Sequence, residues 1–290
     1  REKLLCHTCG EPLESCTGHF GHIKLAMPVY HIGFFRHIQA ILKCICKSCS
    51  ALLLSDDERR YYLACKARAA DKEQRTAVIK TVEKKCTPTS EMQKQCPRCG
   101  AMNGTIKAFG MRLVHKKYTK KNPRDVSCFD TAVLLNSNIQ DHVQKLQEVL
   151  HPMNVRTLLE NLSAEDRDLL DQPHPERYVL THILVPPNSI RPSVPSPHDP
   201  DKMNCDDLTN FVEKILMFNE ELEAVLKKGE KLDQVHSKWE SLQHQCLLMV
   251  NSQPTSTQVP MEKKQDKQKN GLFQRIKGKQ GRIRGHLSGK

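Results

Sequence analysis

Aromatic side chains are scarce in these 290 residues. One Trp, five Tyr and eight Phe make up 5% of the chain, within a hydrophobic share of 38%. A single large core drawn from that stock would be thin, so order must also come from metal sites, long helices or partner subunits. Long apolar runs are missing too. No stretch reaches the ~20 apolar residues of a membrane helix, and no apolar run near Arg1 resembles a signal peptide. A membrane partner is therefore not expected. The His-Glu-x-x-His pattern of an open catalytic zinc site is absent, which removes the support for a zinc hydrolase. Acidic residues are in deficit, 33 against 45 Lys and Arg, for a formal charge of +12. The excess is local: Glu262 to Lys290 holds ten Lys or Arg and two acids, which is +8 of that +12. A localised excess points to contact with a polyanion rather than to general solubility.

Cysteine, by contrast, is abundant, with thirteen residues. Without a secretory signal, zinc in a reducing compartment explains them better than disulfides. Cys6-His-Thr-Cys9 is followed by Cys16-Thr-Gly-His19. Each pair brings two soft or borderline ligands to one turn, and four together close a tetrahedral structural zinc site. His22 competes for the fourth place, with His19 preferred because it repeats the two-residue spacing. A second Cys₄ site is split. Cys46 and Cys49 form one half, Cys96 and Cys99 the other, with 46 residues between them. That insert is charged and helical in pattern, opened by the capping box Ser55-Asp-Asp-Glu58. Cys44 and Cys86 lie close enough to compete but read as free buried thiols, and His31 and His37 read as packed histidines.

Between and beyond these sites the chain mixes strand and helix signals. Ile23 to Val29 is strand-like, Gly33 to Leu42 suits a short helix, and Asn103 to Tyr118 reads as a hairpin turning near Phe109-Gly110. The basic run Lys116 to Lys121 is either a phosphate contact or an exposed loop. Thr131 to Leu170 reads as helical, with a second capping box at Ser163-Ala-Glu-Asp166. His182 to Pro200 holds six prolines and is expected to be extended and stiff. Then Leu208, Phe211, Ile215, Phe218, Leu222 and Val225 step by 3 and 4, as do Leu232, Val235, Trp239, Leu242, Cys246 and Met249. With Lys227-Lys-Gly-Glu230 as the turn, these make an antiparallel coiled-coil hairpin, or else two amphipathic helices packed on a core. Asn251 to Asn270 is polar and loop-like. The last nineteen residues carry Arg275, Lys277, Lys279, Arg282, Arg284 and Lys290 threaded with four glycines, a pattern suited to lying along phosphates.

Several long motifs resemble a known family. CHTCGEPLESCTGHFGHIKLAMPVYHIGFF is similar to the N-terminal zinc region of the largest subunit of multisubunit DNA-dependent RNA polymerases. CKSC, CPRCGAMNGTIK, LVPPNSIRPSV, DDLT and RIKGKQGRIRGHLSGK follow in that family's order. GFFR, CICKSC, CGAMNGTIKAFG with LVHKKY, and KQGRIRGHLSGK are most like RNA polymerase III, with RNA polymerase II and archaeal-type enzymes as alternatives. The resemblance implies the clamp of the DNA cleft: an α+β, helix-rich, zinc-stapled module with an antiparallel coiled-coil hairpin. It implies one zinc on Cys6, Cys9, Cys16 and His19, and a second on Cys46, Cys49, Cys96 and Cys99.

The expected division follows. Residues 1–130 form a clamp head with both zinc sites, 131–184 a helical clamp core, and 185–205 a Pro-rich lid-like segment. Residues 206–251 are the clamp helices, 252–271 a rudder-like loop, and 272–290 a truncated basic switch-like segment. The family implies template DNA and the DNA–RNA hybrid as ligands, and the second-largest and smaller polymerase subunits as partners. It implies initiation factors on the hairpin and a nuclear location. Its Mg²⁺-binding Asn-Ala-Asp-Phe-Asp-Gly-Asp motif does not occur here, so no catalytic residue is expected in this stretch of a nucleotidyltransferase, and the chain reads as a piece of a longer polypeptide. The reading from another class is a stand-alone zinc-binding nucleic-acid adaptor.

Overall fold

The computed structural model describes residues 5–12, 15–88, 94–116, 135–136, 147–196, 203–253 and 269–289. The chain forms two compact units. One comprises Arg1–Ile32, Leu180–Ser256 and Met261–Lys290, and the other Gly33–Val179 with Thr257–Pro260.

The first unit is built on a long strand and a helical hairpin. Strand β1 (Gly21–Tyr30) forms a two-stranded sheet with β7 (Val179–Val185). Helices α6 (Asp207–Lys228) and α7 (Leu232–Val250) pack on each other and on β1. Asp206 caps α6 by accepting the Leu208 N–H at 2.8 Å. The helix stops at Gly229, whose φ of +66° is the left-handed conformation that ends helices and favours glycine. The turn at residues 227–230 is thus where the sequence puts it.

The repeating apolar positions are buried in one cluster with Ile23, Leu25, Val29 and Ile183. Phe218 packs against that cluster and is partly buried. Leu232 departs from the expected seam and is 74% exposed, because it is the first residue of α7. Polar side chains fasten the helices to the strand. The Asn219 carboxamide accepts the Ala26 N–H at 2.8 Å and donates to the Lys24 carbonyl at 3.2 Å, as a neighbouring strand would. The Trp239 indole donates to the Pro28 carbonyl at 2.8 Å. The chain after β7 is not simply extended: Ile190 N–H bonds to the Pro187 carbonyl and Arg191 N–H to that of Asn188, and Val194–Pro195 (β8) pairs with Met203–Asn204 (β9). Proline's fixed φ suits tight turns as well as extended runs.

The second unit begins with a 3₁₀ turn leading into α1 (Phe35–Cys44), followed by α2 (Asp56–Arg68) and α3 (Lys72–Cys86). The capping box at Ser55 and Glu58 forms with both hydrogen bonds, at 3.2 and 3.3 Å. Short strands β2 (Lys94–Gln95) and β3 (Met102–Asn103) pair around the second Cys-x-x-Cys half. Strands β4 (Thr105–Phe109) and β5 (Arg112–Lys116) form the expected hairpin, turning at Gly110 with φ +61°. Within the stretch expected to be helical, Gln147–Leu150 (β6) is a strand, antiparallel to β5 with Leu150 opposite Leu113. Four residues beside an open strand edge are too few for helix propensity to outweigh a ladder of pairings. Helices α4 (Pro152–Glu160) and α5 (Ala164–Leu169) complete the unit.

Asp166, only 1% exposed, ties the second unit together. It accepts the Leu52 N–H at 3.4 Å and lies 3.3 Å from the Arg59 guanidinium. Lys66 similarly reaches the Asp168 carboxylate at 3.0 Å and that of Asp171 at 3.3 Å. The run from Lys116 to Lys121 lies outside the described residues beyond its first member. Among the described residues no helix is long and apolar enough to cross a membrane.

Asn219→Leu keeps the side-chain bulk but removes the partner of the part-buried Ala26 N–H, while the exposed Lys24 carbonyl can turn to water, so it should lower stability by about 1 kcal/mol. Leu232→Ser, at the exposed position the periodicity assigned to the seam, should change it by less than about 0.5 kcal/mol. Urea melts monitored by Trp239 fluorescence test both, and equal losses in the two variants would contradict the packing described.

Candidate metal centres and basic tail

Among the described residues, three Cys-x-x-Cys segments make the same turn. At Cys6, Cys46 and Cys96 the cysteine carbonyl accepts the N–H of the residue four positions on (Gly10, Ser50, Gly100) at 2.8–3.0 Å. The cysteine N–H bonds forward to the carbonyl of Glu11, Ala51 or Ala101 at 2.8–2.9 Å. Gly10 and Gly100 close their turns with φ of +74° and +72°, and Ser50 takes the same left-handed place with φ +60°. The second cysteine of each motif is thereby folded back beside the first, and N–H groups within the turn point at sulfur, as Ser48 N–H does at Cys46 Sγ (3.4 Å).

In the first unit this turn meets Cys16 and His19. Donor atoms of Cys6, Cys9, Cys16 and His19 all lie within 4.8 Å of one another. Cys9 and Cys16 sulfurs are 3.7 Å apart, and the Gly18 N–H points at Cys16 Sγ at 3.4 Å. His22 is on β1, its ring 5.6 Å from that of His182. Gly18 has φ +92°, and a Cβ there would lie 2.7 Å from that of Pro187. Ser189 Oγ donates to the Thr17 carbonyl at 3.3 Å. The proline-rich turn therefore buttresses the Cys16–His19 loop, a partnership between residues more than 165 positions apart that no local pattern announces.

In the second unit the two halves of the split motif meet. Cys46, Cys49, Cys96 and Cys99 have their sulfurs within 4.8 Å, with Cys46–Cys99 and Cys49–Cys96 each at 3.6 Å. Asn103, 1% exposed, completes the shell. Its Nδ2 donates to Cys46 Sγ at 3.4 Å and to the Ala101 carbonyl at 3.0 Å, while its Oδ1 accepts the Lys47 N–H at 3.0 Å. Nothing in the sequence singled out Asn103. The sequence shows only that a carboxamide follows Cys99 by four positions; its burial against Cys46 appears in the fold. Cys44 and Cys86 are buried thiols outside the cluster.

The sulfur separations provide a test of fit. A tetrahedral zinc ion with Zn–S bonds of about 2.3 Å holds its sulfurs ~3.8 Å apart. Distances of 3.6–3.7 Å match that edge, and three thiols with an imidazole, or four thiols, are ligand sets that leave no open position. Both clusters can hold zinc. The proton affinities agree. Burial disfavours a Cys46 thiolate, but the N–H groups of Cys49, Asn103 and Ser48 outweigh it and bring Cys46 down to about 6. Backbone N–H groups of Cys9 and Thr8 bring Cys6 down to about 6. Burial, then the neighbouring sulfurs, push Cys49 up to about 12. One ionised sulfur thus resists ionisation of the next unless a cation joins them.

The basic tail divides. Arg275 is committed internally, its guanidinium 2.5 Å from the Asp206 carboxylate and donating to the Ile190 carbonyl. Lys277, Lys279, Arg282 and Arg284 are exposed. Lys277 Nζ lies 5.5 Å from the Phe273 ring centre. Lys290 lies outside the described residues. The tail is helical in two short pieces, α8 (Leu272–Ile276) and a π-helical turn over Arg282–Leu287. Gly278 has φ +94°, and a Cβ on Gly281 would collide with the carbonyl oxygens of Ile276 and Lys277.

Asn103→Ala should weaken metal retention at the Cys46 cluster by about 10–100-fold, the usual loss when a supporting hydrogen bond to a ligand is removed. The Cys6 cluster should be unaffected. Competition with a coloured chelator resolves the two classes of site, and a uniform pair of affinities in the variant would show that Asn103 does not act on Cys46.

The whole chain is similar to a family of known proteins. Residues 1–287 match the model of the family described as RNA polymerase Rpb1, domain 1. DNA-directed RNA polymerase III subunit rpc1 of Dictyostelium discoideum is 38% identical over 100% of this chain and 20% of its own length. The human RNA polymerase III subunit RPC1 is 36% identical over 98% of this chain and 21% of its own. DNA-directed RNA polymerase subunit Rpo1N of Thermococcus celer is 30% identical over 99% and 29%. The chain thus spans about a fifth of the length of these polymerase III relatives. With the closed cysteine clusters in place and a match that runs from the first of them through the basic tail, the chain belongs to the RNA polymerase Rpb1 domain 1 family.

Proposed function

We propose that the chain is the N-terminal clamp region of the largest subunit of a nuclear DNA-directed RNA polymerase of class III. The observation that carries this is the similarity along the entire chain to polymerase III subunits, 32–38% identical across animal, amoebal, fungal and parasite relatives. The archaeal relative, at 30%, supports the family while giving less to its own class. In this reading the chain holds and orders DNA, and the nucleotidyl transfer itself belongs to Mg²⁺-binding aspartates elsewhere in the subunit.

Zinc is proposed at both clusters, on Cys6, Cys9, Cys16 and His19, and on Cys46, Cys49, Cys96 and Cys99. When bound, it supplies structural order to a chain with few aromatics. The tail is proposed to lie along template-strand phosphates through Lys277, Lys279, Arg282 and Arg284, with Lys290 as a further contact and without reading bases. Arg275 has a different part, holding the tail's first helix to the hairpin. The paired helices α6 and α7 are proposed as clamp helices that meet initiation factors, and other polymerase subunits complete the cleft. The alternatives are a class II or archaeal-type largest subunit and a free-standing zinc adaptor.

Depletion of the protein in its own cells distinguishes these readings. Nascent tRNA and 5S rRNA should fall while messenger RNA synthesis continues. Loss of messenger RNA first would assign class II, and no loss of either would favour the adaptor. Within the chain, Arg282→Ala with Arg284→Ala should weaken single-stranded DNA binding equally for all sequences. It should also flatten the log–log salt dependence by about 0.7 for each phosphate that is no longer neutralised. An unchanged slope would place the phosphate grip elsewhere.

A further inference from the structure

The second unit carries a basic groove that neither the metal clusters nor the tail explains. Helices α1 and α3 pack side by side, and a groove of about 490 Å³ opens along them. Four cations line it: Arg36 and Lys43 from α1, Lys80 and Lys84 from α3. Each pair is spaced so that one helix face presents it, with Gln39 between the first two and Glu83 beside the second. None of the four cations has an ion-pair partner among the described residues. The neighbouring Lys85, in contrast, is paired with Glu58 at 2.6 Å. Glu83 is the one acid in the lining, so the groove keeps an uncompensated positive charge of about three.

The groove's own chemistry narrows the occupant. No aromatic side chain lines it among the described residues, so it lacks the stacking platforms with which proteins grip single-stranded nucleic acid. Four cations gathered in one recess with an acid among them make a small footprint beside the roughly 6–10 phosphate contacts of a salt-sensitive duplex binder. Its base offers small surfaces, Ala40 and the buried Cys44, with Gln39 and Thr87 able to bond a peptide main chain. Cations on both rims over a small-residue floor fit an acidic peptide with apolar side chains inserted between its carboxylates.

We propose that the α1–α3 groove is a docking site for an acidic, partly apolar segment of another protein. It does not depend on the polymerase reading, since it rests on the groove alone. The test uses the full chain loaded with zinc and a fluorescein-labelled peptide of alternating Asp or Glu and Leu, read by anisotropy. Oligothymidylate and the same peptide with Asn and Gln in place of its acids serve as comparisons. The acidic peptide should bind and the neutral one should not. Lys80→Glu with Lys84→Glu should weaken binding by about tenfold or more, whereas Arg282→Ala with Arg284→Ala should leave it unchanged. Circular dichroism checks that the variant is folded; if it is not, Lys80→Ala with Lys84→Ala gives the same reading with a smaller loss. Peptide affinity unchanged in a folded groove variant overturns the proposal. So does oligothymidylate that displaces the peptide and itself loses affinity in that variant, which would make the groove a nucleic-acid site.

Discussion

Four sulfurs held close to 3.6 Å from their neighbours are the constraint on which much of this chain depends. As thiols they pack at the edge of van der Waals contact. As thiolates they repel: hydrogen bonds bring Cys46 down to about 6, while burial and then the neighbouring sulfurs push Cys49 up to about 12. Only a cation allows all four to ionise together. The turns that present them are prefolded by backbone hydrogen bonds and a left-handed fifth residue, so little rearrangement is left for binding. Structural zinc contributes apparent free energies of ~10–16 kcal/mol in small peptides. In the second unit that contribution joins the end of α1 to a pair of two-residue strands, and it adds to the burial of Ile45, Leu52 and Leu53 beside the cluster.

The first unit solves a different problem. A strand as long as β1 exposes two rows of backbone groups, and a single partner strand serves one of them. The helices supply part of the rest. Asn219 offers a carboxamide to the strand as a substitute peptide group, and Trp239 reaches the Pro28 carbonyl. These bonds act with the buried apolar stripes to set which face of each helix meets the strand. The same apolar rows that would make a free coiled coil are shared with Ile23, Leu25 and Val29, so the hairpin is anchored along the strand rather than standing alone.

What the sequence made legible was whatever is local or strongly periodic. The Cys-x-x-Cys pairs, the box at Ser55, the turn at Gly229 and the β4–β5 hairpin each depend on residues a few positions apart, and each is found in place. The split cluster could be inferred because Cys46 with Cys49 and Cys96 with Cys99 are each half of a four-ligand zinc site. The strand at 147–150 was not legible, since its identity comes from β5, a distant segment of the chain. Pro187 against Gly18, and Asn103 against Cys46, were hidden for the same reason: their meaning exists only once distant segments meet. Leu232 fits the heptad arithmetic, yet periodicity cannot tell where the overlap of two helices ends.

Arg275 shows how the same limit changes a functional argument. By composition it is one more cation in a basic tail. In the fold it meets Asp206, the residue that caps α6, so one carboxylate serves both the first turn of a helix and the base of the tail. The cap would survive loss of the arginine, because Asp206 still accepts the Leu208 N–H. The tail would lose its tether to the hairpin. Downstream, Gly281 has no room for a side chain against the carbonyls of Ile276 and Lys277, which folds the chain back on itself just before Arg282 and Arg284. The two exposed arginines are therefore presented from a fixed root through a tight bend. A strap free to pivot at every glycine would spread them over many orientations, whereas this one limits them to those the root allows. The glycine at 281 then acts through close packing, and positive φ is the separate task of Gly278.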